Sequence, residues 1–223
     1  MKLPFDKTYC LHLVEAKDRY ESTIRQFEAM GILDDIEYWY TCRRPFAKNL
    51  YQLLPSIQTE LYDDVKRRND NIYESVFNCS LEHYTIIKTS YERGLNSIAI
   101  IEDDISFFID KDRFEYMISN IPSDYDVIQF HNQQRSRQRY LEEQLNIANL
   151  DKYVKVNNID YWFSSTMFYA LNRNGMKHFI ELHDEHDLLI ADHPFRYIDT
   201  SKYNFYLSPC EFCRSGLKST YVK

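Results

Sequence analysis

Basic charge is in short supply in this chain, and glycine is scarcer still. Asp and Glu number 34 against 27 Lys and Arg, for a net charge of -7. That balance argues against nonspecific nucleic-acid binding, which needs basic surface. No apolar run approaches the roughly 18 residues of a bilayer span. No N-terminal stretch has the charged-then-apolar layout of a signal peptide. No Pro-Gly-Ser linker, internal repeat or low-complexity segment breaks the chain, so one domain over residues 1–223 is expected, soluble and cytoplasmic. Cysteine is sparse and odd in number: Cys10, Cys42, Cys79, Cys210 and Cys213. Two of them fall in apolar, strand-like runs, where a free thiol behaves as a small hydrophobe. The set reads as reduced and intracellular. Cys210 and Cys213 form a C-x-x-C, a redox pair or half a zinc site, but no second C-x-x-C completes a ribbon.

What is present describes a folded enzyme-sized domain. With 223 residues, 44% hydrophobic and 27% charged, the chain can bury a sizeable core and does not have a disordered composition. Tyrosine is abundant at 19 copies and glycine reaches only 4. Such extremes follow genome composition as well as function, although many Tyr and Phe suit stacking on bases or sugar rings.

The most informative segment is Ser97-Ile98-Ala99-Ile100-Ile101-Glu102-Asp103-Asp104. An unbroken apolar run rich in β-branched residues reads as a strand covered on both faces. Three acids then follow at its C-terminal end. Crowded carboxylates are costly unless a cation accompanies them, and in open α/β sheets ligands bind at that end of the strands. A strand delivering carboxylates to a divalent metal, and the metal to a phosphate-bearing substrate, is the simplest account. In an extended chain Glu102 and Asp104 point one way and Asp103 the other.

Around this segment strands and helices alternate. Lys7 to Val14 and Ile36 to Cys42 read as strands, and Asp18 to Met30 as a helix with Asp18 at its N-cap and Gly31 beyond its C-terminus. Residues 43 to 75 have no firm pattern and are expected to be a mobile or helical insertion. Ser80 to Arg93 reads as a helix closed by Gly94, with His83 in its first turn. Asp126 to Phe130 and Ser165 to Ala170 read as strands, and Asn174 to His183 as a helix. The alternation predicts an α/β fold whose sheet is parallel at least in its first half, with helices on both faces.

Several blocks in order resemble glycosyltransferase family 25, the group of lipooligosaccharide and collagen galactosyltransferases. Tyr9-Cys10-Leu11-His12-Leu13 followed by Arg19 is similar to its opening Y-x-I-N-L…R block. Asn78-Cys79-Ser80-Leu81-Glu82-His83 is similar to its G-C-x-x-S-H block, and Ile100 to Ile105 to its L-E-D-D signature. Thr166 to Gly175 resembles its later strand-turn-helix block, Asp192 falls where an aspartate follows that helix, and Ser219-Thr220 resembles its close. His12, Asn78 and Glu82 depart from the family's Asn, Gly and Ser. The resemblance implies a single GT-A-like (Rossmann-like) domain with a mostly parallel central sheet flanked by helices. It implies transfer of a hexose, galactose first, from a UDP-sugar to a glycan or a hydroxylated side chain, with Mn²⁺ or Mg²⁺ and with inversion. No membrane span is expected, and a membrane-associated acceptor can be reached peripherally from the cytoplasmic face.

The candidate site residues follow from both readings. Asp104 is the expected direct metal ligand, with Glu102 a second ligand or a ribose or water contact. Asp103 is placed with the donor or as a residue that caps the next segment or orients a basic side chain. Asp192 is the candidate base for the acceptor hydroxyl, or an ordinary cap before Pro194. His83 contacts donor phosphate or holds a neighbouring loop; Arg19 holds donor phosphate or pairs on the surface with Glu15 or Glu21. Arg135, Arg137 and Arg139 clamp a diphosphate or form a solvated face. Two rival readings remain. One is a metal hydrolase built on His183-Asp184-Glu185-His186-Asp187 with Asp192 and His193, and the other is a glycan-binding domain without turnover.

Overall fold

The computed structural model describes residues 1–42, 71–131, 152–157, 165–186, 188–189, 191–208 and 213–215, with backbone only at 71–75 and 214–215. Arg135, Arg137, Arg139, Asp187, Cys210, Ser219, Thr220 and most of the 43 to 75 insertion lie outside these residues. In chain order the strands are β1 (Lys7–Leu13), β2 (Ile36–Thr41), β3 (Ser97–Glu102), β4 (Ile105–Phe107), β5 (Val127–Gln129), β6 (Val154–Lys155), β7 (Phe168–Asn172), β8 (Phe205–Leu207) and β9 (Cys213–Ser215). The helices are α1 (Lys17–Met30), α2 (Asn71–Glu92), α3 (Lys111–Ser119) and α4 (Arg173–Glu185).

Among the described residues a seven-stranded sheet runs in the order β2-β1-β3-β7-β5-β8-β6, and β4 pairs separately with β9. The β1–β2 and β1–β3 pairs are parallel, as the alternation predicts for the first half, and so is β5–β8. β7 enters antiparallel between β3 and β5, and β6 closes the edge antiparallel to β8. β2, β1, β3, β5 and β8 thus share one direction.

The pleat sorts the core into two layers. Ile98 and Ile100 face Ile86 and Ile87 of α2 and Phe179 of α4. Ala99 and Ile101, one residue out of phase, face Phe27 of α1 and Phe114 and Met117 of α3. A strand buried on both sides must be apolar at every position, which is why the Ile-rich run of β3 shows no alternation. β1 obeys the same parity, with Tyr9 and Leu11 on the α2 side and Cys10 on the α1 side.

Helix ends follow local chemistry with two departures from the sequence reading. α1 stops at Gly31, whose φ of 70° is left-handed, while Ile32 N donates to Phe27 O at 2.9 Å. Its start is not capped by Asp18: Ala16 occupies the N-cap, Arg19 N donates to Ala16 O at 3.0 Å, and Asp18 lies in the first turn, where its charge suits the helix dipole. α2 begins at Asn71 instead of Ser80, so His83 lies well inside the helix and not in its first turn. β7 sits slightly later than expected and α4 extends one residue earlier and two later, and Asn172 ends the strand by capping the helix, its Oδ1 accepting from Gly175 N at 2.9 Å. Cys10, Cys42, Cys79 and Cys213 are all free.

Gly175 marks where α4 meets the sheet. A Cβ there would lie 2.1 Å from the Asp126 carbonyl oxygen, which is backbone and cannot rotate away. Gly175→Ala is therefore expected to destabilise the fold by about 1–3 kcal/mol, the range for forced overpacking. Urea unfolding checks this; an unchanged midpoint would mean that β5 and α4 can part without cost.

Candidate functional site

The parity of β3 continues into the acids that follow it. Glu102 carries on the Ile98 and Ile100 series toward α2, and Asp103 carries on the Ala99 and Ile101 series toward α1. The two carboxylates therefore meet different partners.

Asp103 is 3% exposed and fully engaged. Its Oδ1 accepts from Arg19 Nη1 at 2.7 Å, and its Oδ2 accepts from Leu13 N at 3.0 Å and lies 2.8 Å from His12 Nδ1. Arg19 is itself 6% exposed, so it is buried beneath the site and holds Asp103 there. Its second nitrogen, Nη2, reaches to 4.0 Å from Asp104 Oδ2. His12 in turn packs among Tyr20, Tyr38 and Tyr40, at centroid separations of 5.3, 6.1 and 5.9 Å. This aromatic group is at the C-terminal end of β1 and β2, beside the acids.

Glu102 turns the other way. Its Oε1 accepts from the Thr166 hydroxyl and lies 3.5 Å from His83 Nε2. Burial works to raise this carboxyl, but the His83 and Thr166 contacts outweigh it and hold it below the ordinary carboxylate value. His83, 1% exposed on α2, points Nδ1 at the Tyr169 hydroxyl, 2.9 Å away. Cys79, one turn earlier on the same helix, brings its sulfur into this group, and single ligand atoms of Cys79, His83 and Glu102 all lie within 4.8 Å of one another.

Asp104 lies between the two networks. Its Oδ1 is buried with no hydrogen-bond partner. Burial pushes its carboxyl up to about 7, the Glu102 charge adds to this, and Arg19 only partly opposes it. A buried, unpartnered carboxylate oxygen beside a second carboxylate is what an oxygen-seeking divalent cation relieves. The residues present thus fit a metal of the Mn²⁺ or Mg²⁺ kind.

Asp192 arrives from the far end of the chain. It precedes a short 3₁₀ turn, His193–Arg196, but makes no side-chain capping bond to it. Burial raises its carboxyl, His193 and the Ser165 backbone oppose this, and Glu102 adds a smaller repulsion, which puts Asp192 within electrostatic reach of the β3 acids. The segment is pinned to α2 by Ala191 N donating to Ser80 Oγ at 3.0 Å. Two residues that the sequence reading left out of the site belong to its wall. Thr166 bonds Glu102, and Ser165 is held at φ 107°, a conformation that costs a non-glycine residue on the order of 1–3 kcal/mol and concentrates at functional sites. Thr166 opens the Thr166 to Gly175 block and Ser165 lies just before it; the contact of Thr166 with Glu102 spans 64 positions.

The His183 stretch is built differently. Leu189 N donates to His183 Nδ1 at 3.1 Å, and burial pushes this imidazole down to about 3. A neutral ring fixing the loop after α4 has one nitrogen committed to backbone. Asp184 accepts from Tyr84 Oη at 2.5 Å. Among the described residues, Cys79, His83 and Glu102 form the one group of three convergent ligand atoms, and the His183-to-His193 stretch forms none.

Residues 5–193 match the family model described as glycosyltransferase family 25 (LPS biosynthesis protein). Among solved structures, mouse xyloside xylosyltransferase 1 in its apo form aligns over 88% of this chain and 80% of its own, with 6% identity and a TM-score of 0.35. No curated protein matches the chain.

Stability should depend on pH through Asp104. Between the ordinary value of 3.8 and about 7 the folded protein retains a proton that the unfolded chain has released, so lowering pH through that window favours the folded state. The metal-free protein is expected to melt higher near pH 5 than near pH 8, with the slope reduced in Asp104→Asn. Thermal melts across this range check it; equal slopes in the two proteins would remove Asp104 as the titrating group.

Proposed function

The chain belongs to glycosyltransferase family 25, and on that premise we propose that it moves a hexose, galactose first, from a UDP-sugar to a hydroxyl of a glycan or a hydroxylated side chain, with inversion. The observation that carries the reading is Asp104: a buried carboxylate with an unpartnered oxygen beside Glu102, at the end of the sheet where α/β ligands bind. Glu102 and Asp104 would hold Mn²⁺ or Mg²⁺, which when bound offsets the charge that gathers on the departing diphosphate.

The chain's own residues account for the rest. Asp103 fixes Arg19 and the end of β1, so that the guanidinium stays beneath the acids and limits their mutual repulsion. His83 and Thr166 hold the Glu102 carboxylate in one orientation and keep it ionised. The tyrosines around His12 offer flat surface for a nucleobase. In the transfer, the acceptor oxygen bonds to the anomeric carbon while the carbon–oxygen bond to the phosphate breaks, its electron pair leaving with UDP. Asp192 takes the acceptor proton. Its raised carboxyl suits that role, because a base is most effective when its pKa approaches the working pH. The product sugar is then inverted, the acceptor having entered opposite the leaving group.

A membrane-associated acceptor would be reached by peripheral association from the cytoplasmic face. Among the described residues no helix is long and apolar enough to cross a membrane.

The decisive test is a thermal-shift panel of UDP, GDP, CMP and their sugars with and without Mn²⁺. A ligand at a hundredfold excess over Kd adds about 2.7 kcal/mol, or roughly 5–10 °C here. UDP compounds are expected to shift the wild type only with the metal and to leave Asp104→Asn unmoved, and a metal-dependent shift retained in the mutant would sink the ligand assignment. Asp192→Asn should bind donor normally and turn over about 10²-fold more slowly or worse; near-normal turnover would make it structural.

A further inference from the structure

The donor reading leaves one group beside the acids unused. Cys79 is not needed to hold a hard cation, and His83 is turned with Nε2, not Nδ1, toward Glu102. Nε2 is buried and has no hydrogen-bond partner, although Glu102 Oε1 is only 3.5 Å away. The Nδ1 contact to Tyr169 Oη fixes the ring, in the way an outer hydrogen bond fixes a histidine that binds metal through its other nitrogen. Sulfur, imidazole nitrogen and carboxylate oxygen then lie within 4.8 Å of one another. In a tetrahedral zinc site, bonds of about 2.0–2.3 Å place ligand atoms about 3.3–3.7 Å apart, and the His83–Glu102 separation already falls in that range.

We propose that Cys79, His83 and Glu102 form a zinc site that shares its carboxylate with the donor site, so that zinc inhibits the transferase by occupying Glu102. A thiolate selects zinc over manganese or magnesium, which prefer oxygen ligands, and zinc also stands above manganese in intrinsic affinity. Binding displaces the Cys79 thiol proton to solvent and forms the Zn–S bond. Three protein ligands leave a fourth position for water. The inference rests on the donor reading only for its inhibitory consequence; the site itself stands on the three side chains.

Titration of the metal-free protein with Co²⁺ tests it directly, because a cobalt–thiolate bond absorbs in the near ultraviolet and no oxygen-only site does. One equivalent of Co²⁺ is expected to give that band in wild type and in Asp104→Asn, and Zn²⁺ to abolish it. Cys79→Ser and His83→Gln, each checked for folding by its melting curve, should lose the band or weaken affinity by at least about 10-fold. Cys42→Ser should retain it. Zn²⁺ should block Mn²⁺-dependent UDP binding in wild type and much less in Cys79→Ser. No thiolate band in the wild type, or a band that survives Cys79→Ser, overturns the proposal. Failure of the donor reading shows separately, as absence of any metal-dependent nucleotide shift while the cobalt band persists.

Discussion

The Asp103 carboxylate holds the site end of this protein together. It joins the close of β1 through Leu13 N, the first turn of α1 through Arg19, and the turn after β3 on which it lies. Burying an ion pair gives little net stability, since desolvation consumes most of the attraction, but removing one partner leaves a stranded charge and costs about 3–5 kcal/mol. Such an interaction is better understood as fixing geometry than as adding stability. Here it fixes the strand end from which Glu102 and Asp104 project, and it places a positive charge below two carboxylates that would otherwise repel each other without relief.

A second constraint acts from the opposite layer. Glu82 accepts from Trp39 Nε1 at 2.8 Å and from Thr41 Oγ1 at 3.0 Å, tying α2 to the edge strand β2. α2 in turn carries Ser80, which accepts from the backbone of the Asp192 segment, and Cys79 and His83, which gather beside Glu102. Two carboxylates of the E-D-D run thus each meet a different helix, Asp103 α1 and Glu102 α2, while Asp104 has the unpartnered oxygen. The departure of Glu82 from the serine usual in the family has a local meaning: this chain uses the position to hold two β2 side chains.

Much of this was legible in the sequence because it depends on local rules. The Ile-rich run with no alternation announces a strand covered on both faces, period 2 separates Glu102 from Asp103, and Gly31 announces a left-handed helix end. The start of α2 was not legible, since residues 43 to 75 lack helical periodicity. The capping role given to Asp18 failed because an uncapped start at Ala16, closed by backbone bonds, lets Arg19 point inward to Asp103. The contacts of Thr166 with Glu102 and of Ser80 with Ala191 span 64 and 111 positions. No pattern in a single sequence encodes them.

The antiparallel strand β7 also governs the order in which the molecule can assemble. It lies between β3 and β5, so the sheet has no continuity across its middle until Phe168 to Asn172 are in place. A nascent chain that has emerged only through β5 can pair β2, β1 and β3, but β5 has no neighbour to join. Contacts of such sequence separation make folding slow, because chain entropy is lost before the pairing is gained. The strand that knits the halves also brings Tyr169 to His83 and places Thr166 beside Glu102, so the Glu102 side of the acid cluster depends on the same strand as the middle of the sheet.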